Sequence, residues 1–224
     1  MRIRWLGRVP YREAWALQRA ISRRSPEDYL LLLEHTAVYT LGTNGDIDHV
    51  LVDPASVGAD MVRVDRGGDV TYHGPGQLVG YPIVRVDDVV AYVRTLERAL
   101  VAALADEGVP ARARPQDGPD YTGVWVQDRK IASIGVHVAR GVTTHGFAVN
   151  VENDMQPFSW VVACGLEDVQ MTSLIKEAGR LAGQMKCFRR RAAWQVAQAL
   201  GRRQRLVSLG RLEAVFGAPA SAGV

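Results

Sequence analysis

The sequence predicts a single α/β domain with a mixed, largely antiparallel central sheet flanked by helices and followed by a helical C-terminal segment. Three observations carry that expectation. Strand-like and helix-like periods alternate as far as Glu107. Three apolar stretches between Val124 and Val151 are joined by tight turns, and the last third returns to helical spacing. At about 150 residues per domain, a chain of 224 holds one domain with an appendage.

In order, Arg2–Leu6 reads as a first strand. A helix follows from Pro10 to Arg23, with Trp15, Leu17 and Ile21 on its apolar stripe and Pro10 suited to a first helical position. Tyr29–Glu34 is apolar almost throughout, which fits a strand covered on both faces. The glycines, aspartates and Pro54 of Thr40–Asp60 read as loop. Met61–Asp65 and Leu78–Val84 read as strands. Asp87 and Asp88 start a helix that runs to Glu107, just before Gly108, with Tyr92, Leu96, Leu100 and Leu104 at helical spacing. A meander follows: Val124–Gln127, a turn at Asp128–Arg129, Ile131–Arg140, Gly141, then Thr143–Val151. The helical segment includes Leu181–Leu200. Residues 1–216 are expected to form the one domain, and the small-residue tail Gly217–Val224 to fray.

Apolar residues make up 47% and charged residues 23%, with mean hydropathy −0.05, which suits a soluble globular chain. There is neither a membrane-length apolar run nor a secretory apolar region near the N-terminus, so a cytoplasmic protein that does not enter membranes is expected. Cys164 and Cys187 are read as free thiols. A net charge of +3 is too small and too dispersed for a nucleic-acid groove, and no nucleic-acid partner is expected. Of the 27 basic residues only Lys130, Lys176 and Lys186 are lysine. Arginine cannot release a proton, so a lysine kept in such a chain is a candidate for proton chemistry. Lys176 and Lys186 fit solvated helical positions, whereas Lys130 ends a turn and opens a strand.

The densest local feature is RGGDVTYHGPGQLVGYP, from Arg66 to Pro82, with five glycines and two prolines around Thr71, Tyr72 and His73. Paired glycines let backbone N–H groups approach a carbonyl or an anion, with Arg66 and His73 as polar handles. It is neither a Walker loop nor a dinucleotide fingerprint. A second feature is ACGLED, where Cys164 and Gly165 follow an apolar stretch and an exposed thiolate would sit beside backbone N–H groups. Cys187, beside Phe188 in a helical pattern, is expected to be a buried, inert thiol. The two cysteines and five histidines show no metal-ligand spacing, and His35, His49, His137 and His145 each read as structural.

Taken together, RGGDVTYHGPGQLVGYPI, YTGVWVQDRKIASIGVHVARGVTTHGFAVNV and ACGLEDVQMTSL resemble the lipoyl(octanoyl) transferase family of lipoate biosynthesis. The resemblance runs from about Glu34 to Leu174 and extends, more distantly, to the biotin and lipoate protein ligase fold. It implies a catalytic acyltransferase domain that moves an octanoyl group from acyl carrier protein to a specific lysine. The acceptors would be lipoyl domains, such as those of 2-oxoacid dehydrogenase complexes, and the glycine-cleavage H protein. By the same resemblance the nucleophile is Cys164 and its base Lys130. Substrate contacts fall on Arg66, Gly67, Gly68, Asp69, Val70, Thr71, Tyr72 and His73, on Ser133, Ile134 and Gly135, and on Gly146, Phe147 and Ala148. No cofactor and no metal are implied, and a monomer is expected. Two residues depart from the family pattern: Ala163 precedes the cysteine and Ala37 stands in EHTAVYT where proline is common. Each change loses a backbone restraint and removes no reacting group.

The chemistry asks for these residue types. A thiol of pKa ~8.5 is mostly protonated at neutral pH; a nearby ammonium favours the thiolate and a free amine accepts its proton, and lysine can be either. Acyl transfer to the thiol keeps the thioester's activation, so the second transfer needs no ATP. The oxyanion of each step needs donors, for which N–H groups near Cys164–Gly165 and Gly67–Gly68 are candidates. Three other functions fit less well: an ATP-dependent lipoate ligase, an amidotransferase between carrier domains, and a non-catalytic carrier-binding module.

Overall fold

The computed structural model describes residues 1–162, 169–179 and 182–216. Strand β1 (Arg2–Val9) leads to helix α1 (Tyr11–Arg24), then β2 (Tyr29–His35), β3 (Val38–Leu41), β4 (Asp60–Arg63), β5 (Val70–His73) and β6 (Gln77–Ile83). Helix α2 (Val89–Ala105) precedes β7 (Gly123–Val126), β8 (Arg129–Ala139), β9 (Val142–Asn150) and β10 (Gln170–Met171). The chain ends with α3 (Leu174–Ala178), α4 (Met185–Ala199), β11 (Arg205–Leu206) and α5 (Leu209–Phe216).

Among the described residues the strands form two sheets. The large sheet runs β10-β8-β9-β6-β2-β1-β11, with β7 also on β8, and the small sheet runs β4-β3-β5. Antiparallel pairing links β2, β6, β9 and β8, whereas β1, β10 and β11 join in parallel, so the sheet is mixed as expected.

The side-chain alternation of β2 explains why helices cover both faces. Leu30 and Leu32 pack into one core with Leu96, Leu100 and Phe188 of α2 and α4. Leu31 and Leu33 point the other way, to Leu17 and Ile21 of α1 and Leu212 of α5. Each of these four leucines is 0–3% exposed, and full burial of each contributes roughly 1.5–3 kcal/mol. Helix α1 starts after Pro10, which takes the capping position. Asp88 caps α2 by accepting the Ala91 N–H at 3.0 Å. The β8–β9 turn is made by Arg140 and Gly141, both with positive φ, the backbone of a tight hairpin.

Four expectations are corrected. The stretch from Thr40 is not all loop, because Val38–Leu41 is β3, the middle strand of the small sheet. Its four residues are all buried, so no polar alternation marks it. The glycine motif, read without a strand before Leu78, contains one, since its Val70–His73 is β5 and pairs with β3. The C-terminal third is not purely helical: β10 and β11 are two-residue strands, too short to show a period. Cys187 is exposed, because on α4 it turns outward beside the buried Phe188. The helix expected over Leu181–Leu200 is α4 at Met185–Ala199, and Leu181 lies outside the described residues.

Candidate active site

The glycine motif crosses the seam between the two sheets, entering through β5 of the small sheet and leaving through β6 of the large one. Before β5, the Arg66–Gly68 turn is stitched on both sides. Thr43 N–H donates to Arg66 O and Asn44 N–H to Gly68 O, while Gly67 N–H donates to Val136 O of β8 at 3.0 Å. Gly67 is thus already committed, and its N–H is not the oxyanion donor that the sequence suggested. The Arg66 guanidinium is buried and donates to the Thr40 carbonyl at 2.7 Å and hydroxyl at 2.8 Å. Close backbone approach requires glycine at two places. A Cβ on Gly42 would lie 2.1 Å from Gly68 O, and one on Gly146 would lie 2.3 Å from Gly80 O.

These segments enclose a pocket of about 420 Å³, within the range of small-molecule sites. Its wall contains Arg66, Gly67, Gly68, Asp69, Val70, Thr71, His73, Lys130, Ser133, Ile134, Gly135, Gly146, Phe147 and Ala148. Pairing of β8 with β9 sets Ser133 opposite Ala148, Ile134 opposite Phe147 and Gly135 opposite Gly146, so two distant sequence motifs form one wall. Tyr72 is the exception. It alternates to the other face of β5 and packs with Tyr39 and Phe158, away from the pocket. Cys164 lies outside the described residues.

Lys130 is 1% exposed at the start of β8, flanked by Trp125 of β7 and Met171 of β10. Its Nζ lies 5.2 Å from the Trp125 ring centroid. Gly123 makes room for its stem, since a Cβ there would lie 2.8 Å from Lys130 Cε. The chain on both sides of Cys164 is anchored at this pocket. Upstream, Val162 N–H donates to His49 O at 2.9 Å; downstream, Thr172 N–H donates to Lys130 O at 2.9 Å. A polar chain ties the glycine motif to the same place. His73 Nδ1 meets Gln77 Oε1 at 2.8 Å, Gln77 Nε2 donates to Asn150 Oδ1, and Asn150 Nδ2 donates to Thr172 O.

Sequence reasoning missed the aromatic end of the pocket, where Tyr11, Tyr81 and His145 join His73. His145 Nδ1 bonds the Tyr11 hydroxyl at 3.1 Å and its Nε2 bonds Asp65 Oδ1 at 2.7 Å. Behind them His35 donates to Val9 O and accepts from the Tyr81 hydroxyl at 2.6 Å. Burial pushes His35 down to about 4. It pushes His145 to about 4 as well, although bonded Asp65 pulls the other way. His73 is driven well below the usual imidazole value by burial and the facing His35, and burial raises the Tyr11 and Tyr81 hydroxyls. All three imidazoles are therefore neutral near pH 7. The backbone at His145 is unusual, with φ at +58° and its N–H held by Gln18 Oε1 at 2.6 Å, features that only the fold reveals. Among the described residues no group of three His, Cys, Asp or Glu could hold a metal ion.

Comparison with known proteins agrees with this geometry. Residues 10–192 match the family described as the lipoyl protein ligase A/B catalytic domain. The chain is 41% identical to an octanoyltransferase of Dictyoglomus thermophilum, over 87% of this chain and 84% of that one. The chain belongs to the octanoyltransferase family. It is also 50% identical to an octanoyltransferase of Gloeobacter violaceus, over 71% of this chain and 73% of that one. A crystal structure of lipoate-protein ligase A bound with ATP superposes with a TM-score of 0.76, covering 96% of this chain and 91% of that one. At 18% identity that likeness is one of fold, and it agrees with the mixed sheet flanked by helices. No helix among the described residues is long and apolar enough to cross a membrane.

Proposed function

We propose that this enzyme transfers an octanoyl group from acyl carrier protein to a specific lysine of lipoyl domains, including the glycine-cleavage H protein, through a thioester on Cys164. One observation carries the reading: Lys130 is buried in the pocket wall, and the strand that follows Cys164 pairs on Lys130 itself. Residues 1–216 act as one catalytic domain, as a cytoplasmic monomer, with no cofactor.

In the first half-reaction the Cys164 thiolate attacks the carrier thioester carbonyl. The C–S bond to the carrier breaks, and the released thiolate takes the proton that Lys130 had accepted from the Cys164 thiol, leaving Lys130 a free amine. In the second, the acceptor amine attacks the acyl-Cys carbonyl and passes its proton to Lys130, and the Cys164 thiolate leaves. The pocket binds the acyl chain along Val79, Ile134, Phe147 and Ala148. The neutral His73 and His145 accept or donate hydrogen bonds without placing a charge beside it.

Mixing the enzyme with octanoyl-loaded carrier, without ATP, is expected to leave an octanoyl adduct on Cys164 that a lipoyl domain then removes. Initial rates against both substrates are expected to give parallel lines. Intersecting lines with no trappable adduct would replace this mechanism with direct transfer in a ternary complex, and a strict need for ATP would move the chain to ligase chemistry.

A further inference from the structure

Asp69 belongs to the glycine motif, yet both of its carboxylate oxygens face a neighbouring loop. Oδ1 accepts the Asp46 N–H at 3.2 Å, and Oδ2 accepts the His49 Nδ1–H at 2.5 Å. That loop carries a short antiparallel contact with the chain just before Cys164. His49 O accepts the Val162 N–H at 2.9 Å, Val50 bridges Val161, and Leu51 N–H donates to Trp160 O at 2.9 Å. One side chain of the cradle thus holds, through one imidazole, the backbone two residues ahead of Cys164. The Asp69 side chain is 9% exposed and that of His49 33%, so His49 sits at the pocket edge with its partner beneath it.

We propose that Asp69 and His49 form a positioning pair that holds residues 160–162, the approach to Cys164, against the pocket that Lys130 lines, instead of contacting substrate. The inference rests on the reading of Cys164 as nucleophile and assigns Asp69 a role different from the one its motif implied. The two ends of the Cys164 segment are held by different means: β10 by backbone pairing to β8, and residues 160–162 by packing of Val161 with Val50 and by a loop whose root is tied to the cradle through the Thr43 and Asn44 N–H groups and whose tip is tied to it through Asp69 and His49. Loss of the pair loosens the tip of that loop and leaves β10 in place. A nucleophile misplaced by about 1 Å costs on the order of 10²-fold in rate, and a thiol moved from an ammonium loses its thiolate stabilisation.

The decisive variants are His49→Ala, which removes the donor at a partly exposed position, and His49→Asn, whose Nδ2–H occupies the place of the imidazole Nδ1–H. His49→Ala is expected to lower the single-turnover rate of Cys164 acylation by roughly 10- to 100-fold with KM changed by less than about twofold. The pH midpoint of Cys164 alkylation by iodoacetamide should move upward, and His49→Asn should restore most of the rate. Amide exchange at Val162, measured on enzyme without substrate, should speed up in His49→Ala and recover in His49→Asn. The inference is overturned if Val162 exchange is unchanged in His49→Ala, if KM alone rises, or if His49→Asn is as slow as His49→Ala. Alkylation and exchange need no octanoyl substrate, so they judge the pair even if the wild-type enzyme fails to transfer octanoate.

Discussion

The Nζ of Lys130 rests over the ring of Trp125, 5.2 Å from its centroid, and both residues are about 1% exposed. The amine that would carry the charge or take the proton is therefore held against an aromatic face at the pocket wall. The charge and the proton can be separated by substitution.

Lys130→Arg keeps the cation beside Trp125 and removes the group able to accept a proton. Alkylation of Cys164 should survive in this variant, while transfer from preformed acyl-enzyme to the acceptor should fall by roughly 10²–10⁴-fold. Iodoacetamide kinetics against pH, run beside single-turnover transfer, check this. Near wild-type turnover would show that Lys130 supplies charge alone.

The two thiols should part cleanly. Cys187 is exposed on α4, so it should be accessible to alkylation, and Cys187→Ala should leave transfer intact. Cys164→Ala should abolish transfer in a folded protein. Peptide mass spectrometry assigns each adduct, and equal losses in both variants would overturn the choice of nucleophile.

Gly146→Ala should be among the most damaging small changes in the molecule. Its methyl would meet Gly80 O at 2.3 Å and Pro82 Cδ at 2.6 Å, so two core strands must separate. A cost of about 1–3 kcal/mol, read as a lower Tm, is expected. Gly210→Ala on α5 has no atom within 4 Å of the new methyl and serves as the control, with Tm unchanged or higher.

Acid should unfold this protein through its histidines. His35 and His145 lie near 4 when folded, against 6.5 for an ordinary imidazole, so between pH 6.5 and 4 the unfolded chain binds more protons than the folded one. Their stabilising effect is fully present above about pH 6.5 and is lost progressively as pH falls toward 4, by on the order of 3 kcal/mol for each imidazole. Chemical denaturation across that range measures the slope. A His145→Gln variant should show a shallower one, and an unchanged slope would contradict the assignment.

Much of this is legible in the sequence because it is written in strong local signals. The uninterrupted apolar run at Tyr29–Glu34 announces a strand buried on both faces, and its leucines divide between two cores. The KIASIG and GFA segments mark a wall because β8 and β9 are adjacent hairpin strands whose register is fixed by the Arg140–Gly141 turn. Other features depend on partners distant in the chain. Tyr11 and His145 are 134 residues apart and become neighbours only when α1 packs on β9. Tyr72 departs from its expected place because the motif contains a hidden strand, whose alternation turns every second side chain away. Cys187 departs from its expected burial because one step along a helix rotates a side chain by about 100°, out of the face that Phe188 occupies.

Strand β1 gains its two flanks at very different times. β2 follows it after a single helix, whereas β11, which pairs with Arg2 and Ile3 through Arg205 and Leu206, lies near the far end of the chain. At ribosomal rates of about 5–20 residues per second, that edge waits on the order of ten seconds or more before its last neighbour is made. Throughout that interval β1, with Ile3, Trp5, Leu6 and Val9 among its arginines, has unpaired N–H and C=O groups on one side. The nascent enzyme is thus most exposed to mispairing with other chains before its final segment emerges, and a chaperone that shields the first strand would matter more to its yield than to its final stability.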